Sequence, residues 1–103
     1  MTATPDAALG PSALVIGEAL IDIVRATDGT VTEHAGGSPM NVAVGLARLG
    51  HPVEFASWFG QDEHGALILD HLAADDVRLT PGTTGAVRTS TAAANLAADG
   101  QAK

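Results

Sequence analysis

The sequence predicts an α/β fold: a parallel sheet with flanking helices, and a β-hairpin projecting near its front. Three observations carry that expectation. Short apolar runs of strand length alternate with helical patterns, in the order strand, hairpin, helix, strand, helix, strand, strand. Hydrophobic residues make up 46% of the chain, yet the only aromatics are Phe55, Trp58 and Phe59, so an Ala/Val/Leu/Ile core has to bring helices close to a sheet. The length of 103 residues suits one small domain with an adequate core.

Each element follows from local chemistry. Residues 1–12 (MTATPDAALGPS) lack a basic region and a long apolar run, and read as a flexible tail rather than a signal peptide. Ala13–Gly17 (ALVIG) is a continuous apolar run, the pattern of a strand buried on both faces. Ala19–Ala26 continues extended, Asp28-Gly29 within TDGT marks a hairpin turn, and Val31–Ala35 returns as its second arm. Ser38 suits a helix N-cap, Pro39 the first helical position, and Gly50 the left-handed residue past the end. Met40–Leu49 is small and largely apolar, which predicts a largely buried helix. Pro52–Gly60 reads as the next strand. Asp62 then caps a helix over Glu63–Ala74 with an apolar stripe of Ile68, Leu69 and Leu72. Asp75–Leu79 reads as a short strand, Thr80–Gly85 as a loop, and Ala86–Ala97 as a strand whose alanines also permit helix. Asp99-Gly100 is another hairpin signal, but only three residues follow it, a pattern expected of a fragment.

Composition narrows the function. A net charge of −7, from 12 acidic and 5 basic residues, argues against nucleic-acid and membrane-surface partners, because both present negative charge. No apolar run approaches the length of a membrane span. The absence of cysteine excludes disulfides and thiolate metal sites and fits a reducing, cytoplasmic location. The sole lysine is Lys103, so no GxxxxGK[ST] phosphate loop exists, and GxGxxG is missing too.

In parallel α/β sheets, ligands bind beyond the carboxyl ends of the strands. There Gly36, Gly37 and Ser38 lead into a helix N-terminus, where free N–H groups and the dipole favour oxygen ligands and glycine admits close approach. A tight entry turn explains the same residues equally well. Asn41, early in an apolar helix, calls for a hydrogen-bond partner in nearby backbone or in a polar ligand. Glu18 and Asp22 share one strand face about 13 Å apart, too far to act as one acid/base pair. Asp22, between Ile21 and Ile23, is expected either to have a partner or to face solvent on the hairpin. His34, His51, His64 and His71 lack metal-ligand spacing with nearby acids, Asp75-Asp76 reads as a loop, and no Ser/His/Asp arrangement is apparent.

Together these residues resemble the N-terminal part of the PfkB (ribokinase-like) carbohydrate kinases, over Ala13–Lys103. The specific part is Gly36-Gly37, Ser38-Pro39-Met40, Asn41 and Ala43, then Gly50 and Gly60 at the family's spacing. Gly17–Asp22 (GEALID) resembles the first-strand motif of fructokinases, and Gly60–Gly65 (GQDEHG) looks like the family's G-x-D-x-x-G turn. The resemblance implies a Rossmann-like kinase with a β-sheet lid over a sugar. It implies that Asp22 accepts hydrogen bonds from sugar hydroxyls, that Gly36 and Gly37 approach the sugar through backbone, and that Asn41 binds another hydroxyl. The TDGT hairpin and the Val87–Leu96 strand would form the lid, through which a homodimer could assemble. Asn95 and the alanine-rich TAAANLA depart from a typical lid strand.

The implied reaction is ATP-dependent phosphorylation of a sugar hydroxyl, fructokinase-like, with ribokinase and 2-keto-3-deoxygluconate kinase as close alternatives. ATP and Mg2+ are implied cofactors, but the family's catalytic aspartate and anion hole lie in a later G-A-G-D motif that these residues do not contain. The resemblance therefore implies a truncated sugar-side half-site with no catalytic residue of its own. The alternative is a non-catalytic sugar-binding or dimerisation module, or a decayed fragment.

Overall fold

Among the described residues two three-stranded sheets form, where the pattern of the sequence suggests one sheet and a hairpin. The computed structural model describes residues 13–96; the expected tail over residues 1–12 and the Asp99-Gly100 turn lie outside them. The first sheet is all parallel, in the order β1 (Ala13–Ile16), β4 (Val53–Ala56), β5 (Arg78–Leu79). The second has the order β3 (Val31–Gly36), β2 (Leu20–Arg25), β6 (Thr91–Asn95), with β2 antiparallel to β3 and parallel to β6. Helices α1 (Ser38–Arg48) and α2 (Glu63–Ala73) supply the crossovers that parallel strands require.

The core lies where one stripe of each helix meets the sheets. Phe55, Phe59, Ile21, Met40, Ile68 and Leu72 are fully buried. On α1 the buried set is Met40, Ala43 and Val44; on α2 it is Gly65, Ile68 and Leu72, both at helical spacing. Ile21 and Ile23 of β2 point into this core, so the second sheet packs on it with the side chains of alternate residues.

Several expectations are corrected by this one-sided packing. β1 alternates instead of being buried on both faces: Val15 packs on the core, while Leu14 is 57% and Ile16 73% exposed. Helix α1 is not largely buried: its outer face leaves Val42 and Gly45 exposed, and Leu49 just past its end is exposed as well. Leu69 falls off the α2 stripe, since one residue beyond Ile68 turns about 100° around the helix. β4 stops at Ala56, and the apolar pattern that continues to Gly60 reflects a loop whose Phe59 enters the core and exchanges backbone bonds with Thr83 and Ala86. β5 is only Arg78–Leu79, because Asp75 and Asp76 form a turn with Asp76 at φ 56°. β6 begins at Thr91, so Val87–Ser90 are not strand; Thr89 is held instead by polar contacts described below.

The caps are partly as expected. Asp62 caps α2, and α1 ends in a Schellman motif, with Gly50 N–H bonding the Ala47 carbonyl and His51 N–H the Leu46 carbonyl. At the start of α1, however, the N-cap is Gly37 rather than Ser38. Its carbonyl accepts the Asn41 N–H at 3.0 Å, and no side chain caps the helix. Ser38 is thus the first helical residue and Pro39 the second, where a missing N–H is still harmless.

Candidate functional site

Two turns meet at the carboxyl end of β1. After Gly17 the chain passes through Glu18 and Ala19 into β2, and against this turn lies the β3–α1 junction. A side chain at Gly17 would collide with the Pro39 ring. A Cβ at Gly37 would lie 3.1 Å from the Glu18 carbonyl oxygen, and Gly37 sits at φ 104°, which side chains disfavour. The glycines let two backbones touch here. Because β2 starts at Leu20, Glu18 lies in the turn, and it does not share a strand face with Asp22 as the alternation suggested.

Asp22 projects from β2 on the face opposite Ile21 and Ile23. It is paired in register with His34, and its carboxylate lies against the backbone of Gly36, where even a methyl group would collide with it. Asp22 is half-buried, and its carboxylate has no hydrogen bond or ion pair among the described residues. Asn41 lies one turn into α1; its N–H is tied to Gly37, while its exposed side chain is likewise unpartnered among the described residues. Of the two partners the sequence allows for the Asn41 amide, nearby backbone or a polar ligand, the backbone supplies none among the described residues. Asp22 and Gly36 are in contact, Gly37 follows directly, and Asn41 is bonded back to Gly37. The cluster offers a charged acceptor, an amide with both donor and acceptor, and the N–H groups of a helix start. Such a set matches a polyhydroxylated ligand.

A cleft of about 410 Å³ adjoins this junction at the carboxyl ends of β1 and β4, lined by Ile16, Gly17, Glu18, Ala56, Ser57 and Trp58. Trp58 is exposed, and the buried Ser57 hydroxyl has no partner there. A further cleft lies at the opposite end of β4, among Gly50, His51, Asp75, Asp76 and Arg78. Among the described residues no three His, Asp or Glu side chains gather as a metal site needs.

The Gly60–Gly65 turn has a mechanical explanation. Asp62 Oδ1 accepts the Gly65 N–H at 2.7 Å and the Thr89 hydroxyl at 2.6 Å, and Oδ2 accepts the Thr89 N–H at 2.9 Å. The Gly60 N–H donates to Thr89 Oγ1 at 3.0 Å. A Cβ on Gly65 would run into the Gly60 carbonyl, and one on Gly60 would lie 2.8 Å from Arg88 Cα. Three backbone segments cross at this turn, and Asp62 fastens them. Thr89, separated from Asp62 by 27 residues, carries no local sign in the sequence of this role. Beside it, His64 Nε2 lies 2.7 Å from Glu33 Oε2, joining α2 to β3.

The Thr89 hydroxyl, followed by the Gly65 and Thr89 N–H groups, pulls the Asp62 carboxyl down from its usual 3.8 to about 2. A carboxyl with a depressed folded-state pKa stabilises the fold fully above its ordinary value, and that support fades as pH falls through the folded one. The gap in melting temperature between the unaltered chain and Asp62→Asn should therefore be constant above pH 3.8 and close as pH falls towards about 2. Melting curves recorded across that window check it.

A parallel β–α sheet whose first strand runs into a separate small sheet, with a glycine pair facing an acidic side chain at the junction, is the architecture of a ribokinase-like carbohydrate kinase. The chain belongs to the pfkB family of carbohydrate kinases, whose sequence profile matches residues 11–103. It is 41% identical over 66 residues to fructokinase of Escherichia coli, an overlap of 64% of this chain and 22% of that protein. A carbohydrate kinase from Agrobacterium tumefaciens superposes with a TM-score of 0.79 and 31% identity, covering 87% of this chain and 33% of that one. The ribokinase of Arabidopsis thaliana, complexed with ribose and ATP, does so with a TM-score of 0.73 and 27% identity, over 90% of this chain and 34% of that one. The chain thus spans about a third of these solved structures and less of the fructokinase. No helix among the described residues is long and apolar enough to cross a membrane.

Proposed function

We propose that the chain supplies the sugar-binding part of an ATP-dependent sugar kinase whose substrate is fructose. The observation that carries this reading is the half-buried Asp22 carboxylate, unpartnered among the described residues and set against Gly36. A carboxylate in that position is stabilised when a ligand donates hydrogen bonds to it, and vicinal hydroxyls are strong candidates in chemistry and size. Gly36 and Gly37 leave room for the sugar to reach the backbone, and Asn41 offers its amide to a further hydroxyl. Similarity to fructokinases supports fructose over ribose.

The β3-β2-β6 sheet is the lid in this reading. Its closure would exclude water from the phosphoryl transfer, and its edge strands would be the surface for a homodimer. The proposed setting is the cytoplasm, with no nucleic-acid or membrane partner. ATP use is supported by neighbours solved with ATP. The described residues do not fit a Mg-ATP site: they hold no converging acidic or histidine trio, and neither phosphate-loop motif occurs in the sequence. No step through the nucleotide is therefore assigned to them.

Titrating D-fructose into the chain should move the amide resonances of Asp22, Gly36, Gly37 and Asn41, and D-ribose should move them less. Coupled assay of ADP release should find no fructose-dependent turnover by these 103 residues. Unmoved amides at saturating fructose would refute the site, and sugar-dependent ADP release would refute its half-site character. Sugar binding in a protein whose complete reading frame lacks a G-A-G-D segment would instead define a non-catalytic sugar-binding module.

A further inference from the structure

All three strands of the β3-β2-β6 sheet enter it along one row. Gly36 pairs with Leu20, the neighbouring Ile21 pairs with Thr91, and Ile21 N–H bonds the Ser90 carbonyl at 3.0 Å. Beyond that row the sheet runs outward to Arg25, Val31 and Asn95, and most of β3 and β6 is exposed. The backbone joins this sheet to the body along that row, and Ile21, Ile23 and Ala35 pack it on the core close by, so the row is the axis about which its outer part can swing as a flap.

The two ends of the axis differ. At the β3 end stands the Gly36-Gly37 pair, without a side chain to lock it. At the β6 end Thr89 is buried and bound through both its hydroxyl and its N–H to Asp62, with Gly60 N–H bonded to the same hydroxyl. Away from the axis, among the described residues, one side-chain hydrogen bond joins flap and body: Glu33, three residues out from Gly36, lies 2.7 Å from His64 at the start of α2. Three residues of strand place Glu33 about 10 Å from the axis. The pair is well exposed, with side chains 31% and 41% accessible, so it holds the flap only weakly. Asp22 rides on the flap, whereas Gly37 and Asn41 belong to the body.

We propose that Asp62–Thr89 is the fixed pivot of this flap and Glu33–His64 its releasable strut. These four are positioning residues that set how far Asp22 stands from the N-terminus of α1. The proposal rests on the reading of Asp22, Gly36, Gly37 and Asn41 as the sugar site. None of the four is required to touch the sugar.

Hydrogen exchange of the backbone amides tests the mechanics, and fructose titration tests the consequence. In Glu33→Gln, amides of β2, β3 and β6 should exchange about two- to fivefold faster relative to those of α1 and β4, since an exposed pair contributes little. In Thr89→Val the same amides should exchange about tenfold faster or more, with Thr89→Ser restoring the slower rates because it keeps the hydroxyl. The fructose dissociation constant should shift with the exchange rates. Glu33→Gln leaves the core untouched, so the proposal stays testable even where Thr89→Val fails to fold. Unchanged flap exchange in Glu33→Gln overturns the strut, and equal exchange in Thr89→Val and Thr89→Ser overturns the pivot. Faster exchange at unaltered fructose affinity overturns the positioning role. Failure of the unaltered chain to bind fructose counts against the sugar site itself, and the exchange rates then still decide the hinge.

Discussion

Gly65→Ala should lower the unfolding free energy by about 3 kcal/mol, the upper range for overpacking a rigid site. Helix propensity alone argues the other way, because alanine is favoured over glycine within a helix by about 1 kcal/mol. The collision outweighs it. The added methyl would meet the Gly60 carbonyl, which is backbone and has nowhere to go. Gly60 cannot retreat, since it bridges Ala86, bonds Thr89, and itself lies against the backbone of Arg88. Gly45 provides the control: it is exposed on α1 with nothing within 4 Å of an added Cβ. Gly45→Ala should raise stability by about 0.5–1 kcal/mol from propensity alone. Urea denaturation of both variants reads the difference, and equal midpoints would disprove the close crossing of backbones at the Gly60–Gly65 turn.

What was legible in the sequence is the chemistry that acts over a few residues. Asp62 before an apolar helical pattern, and Gly50 after one, announce their caps because the partners are the neighbouring backbone groups. The βα alternation likewise announces a parallel sheet. The number of faces a strand buries is not a local property. Ala13–Ile16 is apolar throughout, yet its alternate residues Leu14 and Ile16 lie open because α1 packs on the other side. Phe59 extended the apparent strand past Ala56 because apolar pattern reports burial, not hydrogen bonding to a neighbouring strand. Ser38 gave way to Gly37 as N-cap for a related reason: the chain reaches α1 at a φ of 104°, which glycine tolerates and serine does not.

The proposed site divides along the same line. Gly36, Gly37 and Asn41 are contiguous, so their placement at one helix start follows from the turn itself. Asp22 joins them only through the register of the β2–β3 hairpin, which sets Leu20 opposite Gly36 and brings the carboxylate onto it. The hairpin signal at Asp28-Gly29 made that pairing foreseeable. Thr89 and Glu33 were not foreseeable, because their partners Asp62 and His64 lie 27 and 31 residues away and belong to a different layer. Contacts of that range depend on how two sheets meet, and no short pattern encodes it.

Asp22→Ala should separate binding from folding, lowering sugar affinity without lowering stability. A hydrogen bond to a charged group contributes about 1.5–3 kcal/mol, so fructose affinity should fall roughly 10- to 100-fold. The fold should lose nothing, because the carboxylate has no partner among the described residues to lose. It stands half-buried, where an unpaired charge is unfavourable, so the variant should melt at the same temperature or higher. Asn41→Ala should show the same signature at smaller size: about 1 kcal/mol of affinity for a neutral hydrogen bond, with a few tenths gained in helix propensity. Calorimetric titration with fructose and thermal melting give both quantities for each variant. A structural carboxylate would behave otherwise, with stability and affinity falling together. Loss of melting temperature in Asp22→Ala would therefore transfer Asp22 from the binding site to the scaffold, and the half-site would be left with backbone and one amide, too little to orient a sugar.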